Sequence, residues 1–141
     1  MTHLVLMARR ESPLRLAPAR KAIALSVDRA VLAAGLPSGI TVQPGAIDLA
    51  EARKAARRIF GTEPKRPLRL VVDERYKDSA AVIRDGLGMV EIDTELIVAA
   101  EPAPAVKDRL DAGETIDGVI TDAAGTDPVQ EIEGFRKPTR L

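Results

Sequence analysis

The spacing of apolar positions along this chain changes several times, and each change marks an element. Leu4 to Ala8 is continuously apolar and predicts a short strand over residues 3–8. Pro13 and Pro18 then lead into a helical spacing of Ile23, Val27, Ala30, Val31 and Ala34. That spacing predicts a single helix from Pro18 to Ala34, closed by Gly35 and Pro37. Pro18 suits the first turn, where its missing N–H has no intrahelical partner to lose. Ile40 to Val42, between Gly39 and Pro44, has room only for a short strand. Asp48 next precedes Leu49, Ala52, Ala56, Ile59 and Phe60, with Glu51 placed as in a capping box, so a second amphipathic helix runs to Gly61 and Pro64.

After Pro67 the segment LRLVV (68–72) predicts a buried strand. Residues 74–88 read two ways. Asp78 can cap a helix through Ile83, or Ala81 to Ile83 before Asp85-Gly86 can form the first arm of a hairpin. Residues 89–99 alternate enough for one bent strand or two short ones, ended by Pro102 and Pro104. Val106 to Leu110 makes one or two helical turns up to Gly113. Ile116, Val119 and Ile120, then Val129 and Ile132, predict two short strands joined through Ala124-Gly125. Helices early and strands late predict the α+β class. The expectation is one domain over residues 1–133, with two early amphipathic helices packed on a mostly antiparallel sheet, and a charged tail over 134–141.

Composition narrows the chemistry. With 45% apolar and 30% charged residues the chain reads as a soluble globular protein. Phe60, Tyr76 and Phe135 are its whole aromatic content, which leaves little for stacking on bases or sugars. The absence of cysteine removes disulfides and thiolate metal sites. A lone His3 excludes a histidine cluster for zinc. Gly86-Leu87-Gly88 lacks the third glycine of a dinucleotide loop and reads as a tight turn between strands. Asp117, Asp122, Asp127, Glu131 and Glu133 fall in or beside predicted turns without calcium-loop spacing, as solvated carboxylates do. The sequence therefore predicts no catalytic residue, no metal and no cofactor, and favours a protein that is not an enzyme. No run of 18 apolar residues occurs, and Arg9 and Arg10 follow the first apolar stretch instead of preceding it, so the expected location is the cytoplasm, without a membrane partner.

The charge distribution changes this picture most. Net charge is zero, but residues 1–70 hold 13 Lys/Arg against 5 Asp/Glu and residues 71–141 hold 8 against 16, which gives +8 and −8. Arg53, Lys54, Arg57 and Arg58 share one side of the second helix, and Arg136, Lys137 and Arg140 make the tail basic. These seven residues form the candidate interaction face. Residues 85–133, with 2 Lys/Arg and 13 Asp/Glu, offer its complement. Opposite faces of opposite sign favour head-to-tail contacts between copies. The leading expectation is accordingly a non-catalytic subunit of a larger assembly, such as a virion connector or tail component, with other protein subunits as partners and self-association through the opposed charges.

One segment carries a resemblance. VKDRLDAGETIDGVIT, residues 106–121, is similar to the helix, Ala-Gly-Glu turn, aspartate and strand found in lobes of periplasmic-type solute-binding folds; it covers about a ninth of the chain. The resemblance implies a small-ligand-binding or regulatory domain with this segment lining a cleft, which is the alternative function. A nucleic-acid-binding accessory protein using the basic helix is the third reading, disfavoured by a pI near 6.6 and the scarcity of aromatics.

Overall fold

The first strand, β1 (Thr2–Ala8), is paired along both of its edges. We describe the fold from a computed structural model covering residues 2–60, 66–124 and 132–141. One edge of β1 runs antiparallel to β5 (Gly118–Ala124), from Thr2 opposite Ala124 to Ala8 opposite Gly118. The other edge is shared end to end by two short strands. β2 (Ile40–Thr41) lies parallel beside Thr2 and His3, and β6 (Thr139–Arg140) lies antiparallel beside Val5 and Leu6. On the far side of β5 come β3 (Leu68–Asp73) and β4 (Thr94–Ala99), both parallel to their neighbours. The sheet order is β2-β1-β5-β3-β4, with β6 also on β1.

The α+β class stands, while the pairing is mixed and not mostly antiparallel. The cause lies in the connections, since parallel neighbours need a crossover and helices supply it. Residues 74–88 are that crossover: a 3-10 turn, Glu74–Tyr76, leads into α4 (Lys77–Gly88), which resolves the helix-or-hairpin choice as helix. The return from β4 is α5 (Pro102–Asp111), ending before Gly113 with φ +82°. Pro102 therefore opens a helix instead of merely breaking a strand, because proline is well placed in a first turn. Residues 89–93 are loop, and only Thr94–Ala99 is strand. The second of the two strands expected at the end of the acidic half is not formed at Ile132, and Val129 lies outside the described residues.

Alternation along the strands builds two cores. Leu4, Leu6, Leu70, Val72 and Ile120 face α1 to α4, whereas Met7, Val71, Ile97 and Val119 face α5 through Val106, together with Ile116 and Phe135. The predicted helix of residues 18–34 is two helices, α1 (Ala17–Ser26) and α2 (Arg29–Ala34). Val27 breaks them by adopting extended geometry and turning its side chain into the core, and Asp28 recaps the chain by accepting from the N–H groups of Ala30 and Val31 at 3.0 and 3.2 Å. The helix α3 (Leu49–Phe60) follows, with Asp48 accepting from Glu51 N–H and with Ala52, Ala55 and Ala56 buried. The side chain of Phe60 lies outside the described residues.

Gly86-Leu87-Gly88 is the last turn of α4, not a turn between strands. Gly86 lies where α4 crosses the α1–α2 break: a Cβ there would stand 2.6 Å from the Ser26 carbonyl oxygen. Backbone contact this close needs a glycine.

The expected tail at 134–141 is docked on the sheet. Arg10 N–H donates to Gly134, Arg136 N–H to Ala8 and Leu141 N–H to Leu4, while Phe135 and Leu141 are buried. Loss of apolar periodicity there reflects a strand too short to show any.

Asp117, expected as a solvated turn carboxylate, is fully buried at the start of β5. Its carboxylate accepts from Ser12 Oγ at 2.8 Å, from both terminal nitrogens of Arg66 at 2.7 and 2.8 Å, and from Arg69 N–H at 2.9 Å. Its carbonyl accepts from Arg9 N–H and its own N–H donates to the Arg69 carbonyl, each at 2.8 Å. Burial alone would raise the pKa of this carboxyl, but the hydrogen bonds from Arg66, Arg69 N–H and Ser12 outweigh it and hold the pKa below the ordinary aspartate value.

Two expected outcomes follow from this packing. A carboxyl with a depressed native pKa stabilises the fold fully above its unfolded value of about 4, and that contribution is lost as the pH falls through the native value. Melting temperature should therefore decline below about pH 4 in the native chain and decline less steeply in Asp117→Asn, a comparison read by circular dichroism between pH 2 and 7. In urea unfolding, Gly86→Ala should destabilise by about 1–3 kcal/mol through overpacking, although alanine is the better helix former. Gly88→Ala, whose added methyl would meet nothing within 4 Å, should be neutral or slightly stabilising.

Candidate functional site

Two parallel neighbours, β3 and β4, end in register at Asp73 and Ala99, while β5, on the other side of β3, runs on to Ala124. The connection from β3 to β4 crosses one face of the sheet as α4, and the connection from β4 back to β5 crosses the other face as α5. Chains that leave a pair of neighbouring parallel strands toward opposite faces open a crevice beyond the strand ends, and such crevices are where open α/β sheets bind ligands. The pair whose connections part in this way is β3 and β4, so the candidate site is at their C-terminal ends, next to β5.

The side chains around it form one connected group. Asp73, the last residue of β3, is buried and accepts from Arg75 Nε at 3.1 Å, Arg75 Nη2 at 2.7 Å, Arg75 N–H at 3.1 Å and Thr121 Oγ1 at 3.3 Å. Burial would raise its pKa, yet the hydrogen bonds and charge of Arg75 bring it below the usual aspartate range. Tyr76 is buried with its hydroxyl donating to Asp122 Oδ2, and Arg75 covers its ring with the guanidinium carbon 5.1 Å from the centroid. Burial, followed by the hydrogen bond and negative charge of Asp122, pushes the tyrosine pKa well up. Tyr76 is therefore a neutral donor at physiological pH and not a base.

Arg75 also reaches Asp122 at 3.4 Å, and its side chain remains 59% exposed. The crevice thus presents a cation and a carboxylate at its rim, anchored from beneath by Asp73 and Tyr76. Nothing in the group resembles a nucleophile activated by a base. Among the described residues no three His, Asp or Glu side chains converge as a metal site. None of the described helices is long and apolar enough to cross a membrane.

Of the seven basic residues singled out by sequence, four lie on α3 and three in the C-terminal segment. Arg53 donates to the Met89 carbonyl at 3.2 Å, tying α3 to the end of α4, and Lys54 pairs with Glu51 at 3.2 Å. Arg57 and Arg58 are exposed on α3. Arg136 and Lys137 instead line a cavity beside β1, and Arg140 is exposed in β6. Sequence reasoning missed Asp73, Arg75 and Tyr76. The signal was available, since a helix at 77–88 makes β3-α4-β4 a crossover unit and directs attention to the residues that follow β3.

No family model matches the sequence, and neither does any curated protein. Among solved structures the fold is similar to a peptide-binding protein of a peptide ABC transporter (TM-score 0.60, 17% identity), covering 89% of this chain and 69% of that one. It is similar to NikA from Brucella suis in complex with Fe(III)-EDTA (TM-score 0.61, 20% identity; 89% of this chain, 31% of that one). It is also similar to MppA, a periplasmic murein tripeptide binding protein (TM-score 0.58, 14% identity; 89% of this chain, 29% of that one). The chain thus spans less than a third of the latter two. These neighbours overturn the expectation of a virion or assembly subunit: nearly the whole chain takes the form of part of a binding protein. They also overturn the cytoplasmic placement, which rested on the lack of a recognisable leader. Charge asymmetry misled because unlike charges in one fold can be spent internally, as Arg66 with Asp117 and Arg69 with Glu114 and Glu95 show. In fold, the chain is similar to part of each of these proteins.

Proposed function

We propose that the chain is a solute-binding lobe acting outside the cytoplasm, and that its ligand is a small polar solute or short peptide held beside Arg75 and Asp122 at the C-terminal end of β3. The observation that carries this reading is the likeness of about nine-tenths of the chain to binding proteins, taken with a crevice whose rim offers both charges. Arg75 suits a carboxylate of the solute, because its planar donors can engage two oxygens at once. Asp122 suits an ammonium. Asp73 and Tyr76 fix both groups before the solute arrives, which lowers the ordering cost of binding. The resemblance carried by residues 106–121 supports the same reading, since that segment ends at Thr121, whose hydroxyl donates to Asp73.

Titration calorimetry of the full chain with a pool of di- to pentapeptides should show saturable binding. Asp122→Asn should weaken it about tenfold, the worth of one charge-assisted hydrogen bond, while leaving the melting temperature near that of the native chain. Absence of saturable binding across the pool, or unchanged affinity in Asp122→Asn, would count against the crevice. Fractionation of producing cells should recover the protein outside the cytoplasm, and a purely cytoplasmic pool would contradict the placement.

A further inference from the structure

A second cavity lies at the opposite end of the sheet from this crevice. It has a volume of about 440 Å³ and sits between the lower half of β1, the 3-10 turn Pro13–Arg15 with the start of α1, and the segment leading into β6. That volume lies in the range of small-molecule sites. Leu6 and Leu14, both buried, form its apolar floor. Its charged lining is all of one sign: Arg10, Arg15, Arg20, Arg136 and Lys137, with no aspartate or glutamate.

Three of these cations are held in place by backbone carbonyl oxygens. Arg136 Nη1 donates to the Arg15 carbonyl at 2.6 Å, and Arg20 Nη1 donates to the same oxygen at 3.0 Å. Arg15 Nη1 in turn donates to the Ser12 carbonyl at 3.1 Å. Two guanidinium groups sharing one neutral acceptor stand close together, and like charges so placed repel. Among the described residues none of the five forms an ion pair; the neighbouring Glu11 is engaged with Arg9 at 3.5 Å. A cluster of oriented arginines around a concave site is complementary to an oxyanion, since each guanidinium keeps further N–H donors free for a planar or tetrahedral group.

We propose that this cavity binds a small multivalent oxyanion, phosphate-bearing or polycarboxylate, with Arg20 and Arg136 as its principal donors. The site draws its contributors from two distant stretches of chain, residues 6–20 and 136–139, so it exists only in the folded protein and its occupant stabilises the docking of residues 134–141 on β1. Chloride cannot substitute, because a single charge does not answer five converging cations.

Titration calorimetry at low ionic strength with pyrophosphate in one arm and citrate in the other tests this. Saturable binding of either, with a rise in melting temperature absent for equimolar chloride, is the expected result, and the arm that binds identifies the anion class. The double variant Arg20→Gln with Arg136→Gln should weaken that binding at least about tenfold. Should that variant fold poorly, Arg10→Gln with Lys137→Gln removes two charges whose side chains make no hydrogen bond among the described residues, and it should weaken binding to a similar degree. Asp122→Asn, at the other end of the sheet, should leave anion affinity unchanged, which separates this site from the proposed solute crevice. Failure of both anions to bind at concentrations up to about 10 mM, or binding that neither double variant weakens, would overturn the proposal.

Discussion

The buried carboxylate of Asp117 is the contact on which the rest of the structure depends. It stands where three separate stretches of chain meet: the exit of β1 through Arg9 and Ser12, the approach to β3 through Arg66 and Arg69, and the start of β5 itself. A buried charge is tolerable only when its lone pairs are fully used, and here four donors surround it. Any shift of β5 against β3 or β1 would strip donors from a carboxylate that has no water to replace them. The fully buried side chain thereby sets the register in which β5 lies antiparallel to β1 and parallel to β3. Gly118, next along, keeps the strands close, since a Cβ there would come within 3.1 Å of Leu6 Cδ1 and the Met7 carbonyl.

Asp73 repeats the device at the other end of the same strand pair. There the arginine comes from the following turn, and the result differs because Arg75 stays exposed on its outer side. One aspartate–arginine pair locks the start of the parallel strands, and the other presents charge at their end. The described side chains at that end therefore take their positions from the sheet. The basic cavity is independent of that arrangement, being set by how the C-terminal residues lie along β1.

Much of this fold was legible in the sequence. Strands β1 and β3 and helix α3 announced themselves through apolar runs, an N-capping aspartate and flanking prolines, all local signals. The signals failed where tertiary packing overrode them. Val27 keeps helical spacing with Ile23 and Val31 but turns inward, because Gly86 of α4 must pass against Ser26. Residues 74–88 carry no strong period because α4 is buried through small residues, Ser79, Ala80 and Gly86, as well as Ile83 and Leu87. Site residues were the least legible. Whether an aspartate is solvated or buried depends on donors far along the chain, and Ser12 is 105 residues from Asp117. Similarly, the two tail cations Arg136 and Lys137 were visible as charges, but their association with Arg10, Arg15 and Arg20 depended on the docking of β6.

Native-state amide hydrogen exchange on the intact chain and on Asp117→Asn tests the central claim most directly. The amide of asparagine presents donors where the carboxylate accepted, so it opposes Arg66 and the Arg69 N–H at least on one side. If Asp117 fixes the register of the sheet, amides of β1, β3 and β5 should lose protection together, as a single cooperative unit. Loss confined to the residues around position 117, with β1 and the far end of β3 as protected as before, would contradict that account.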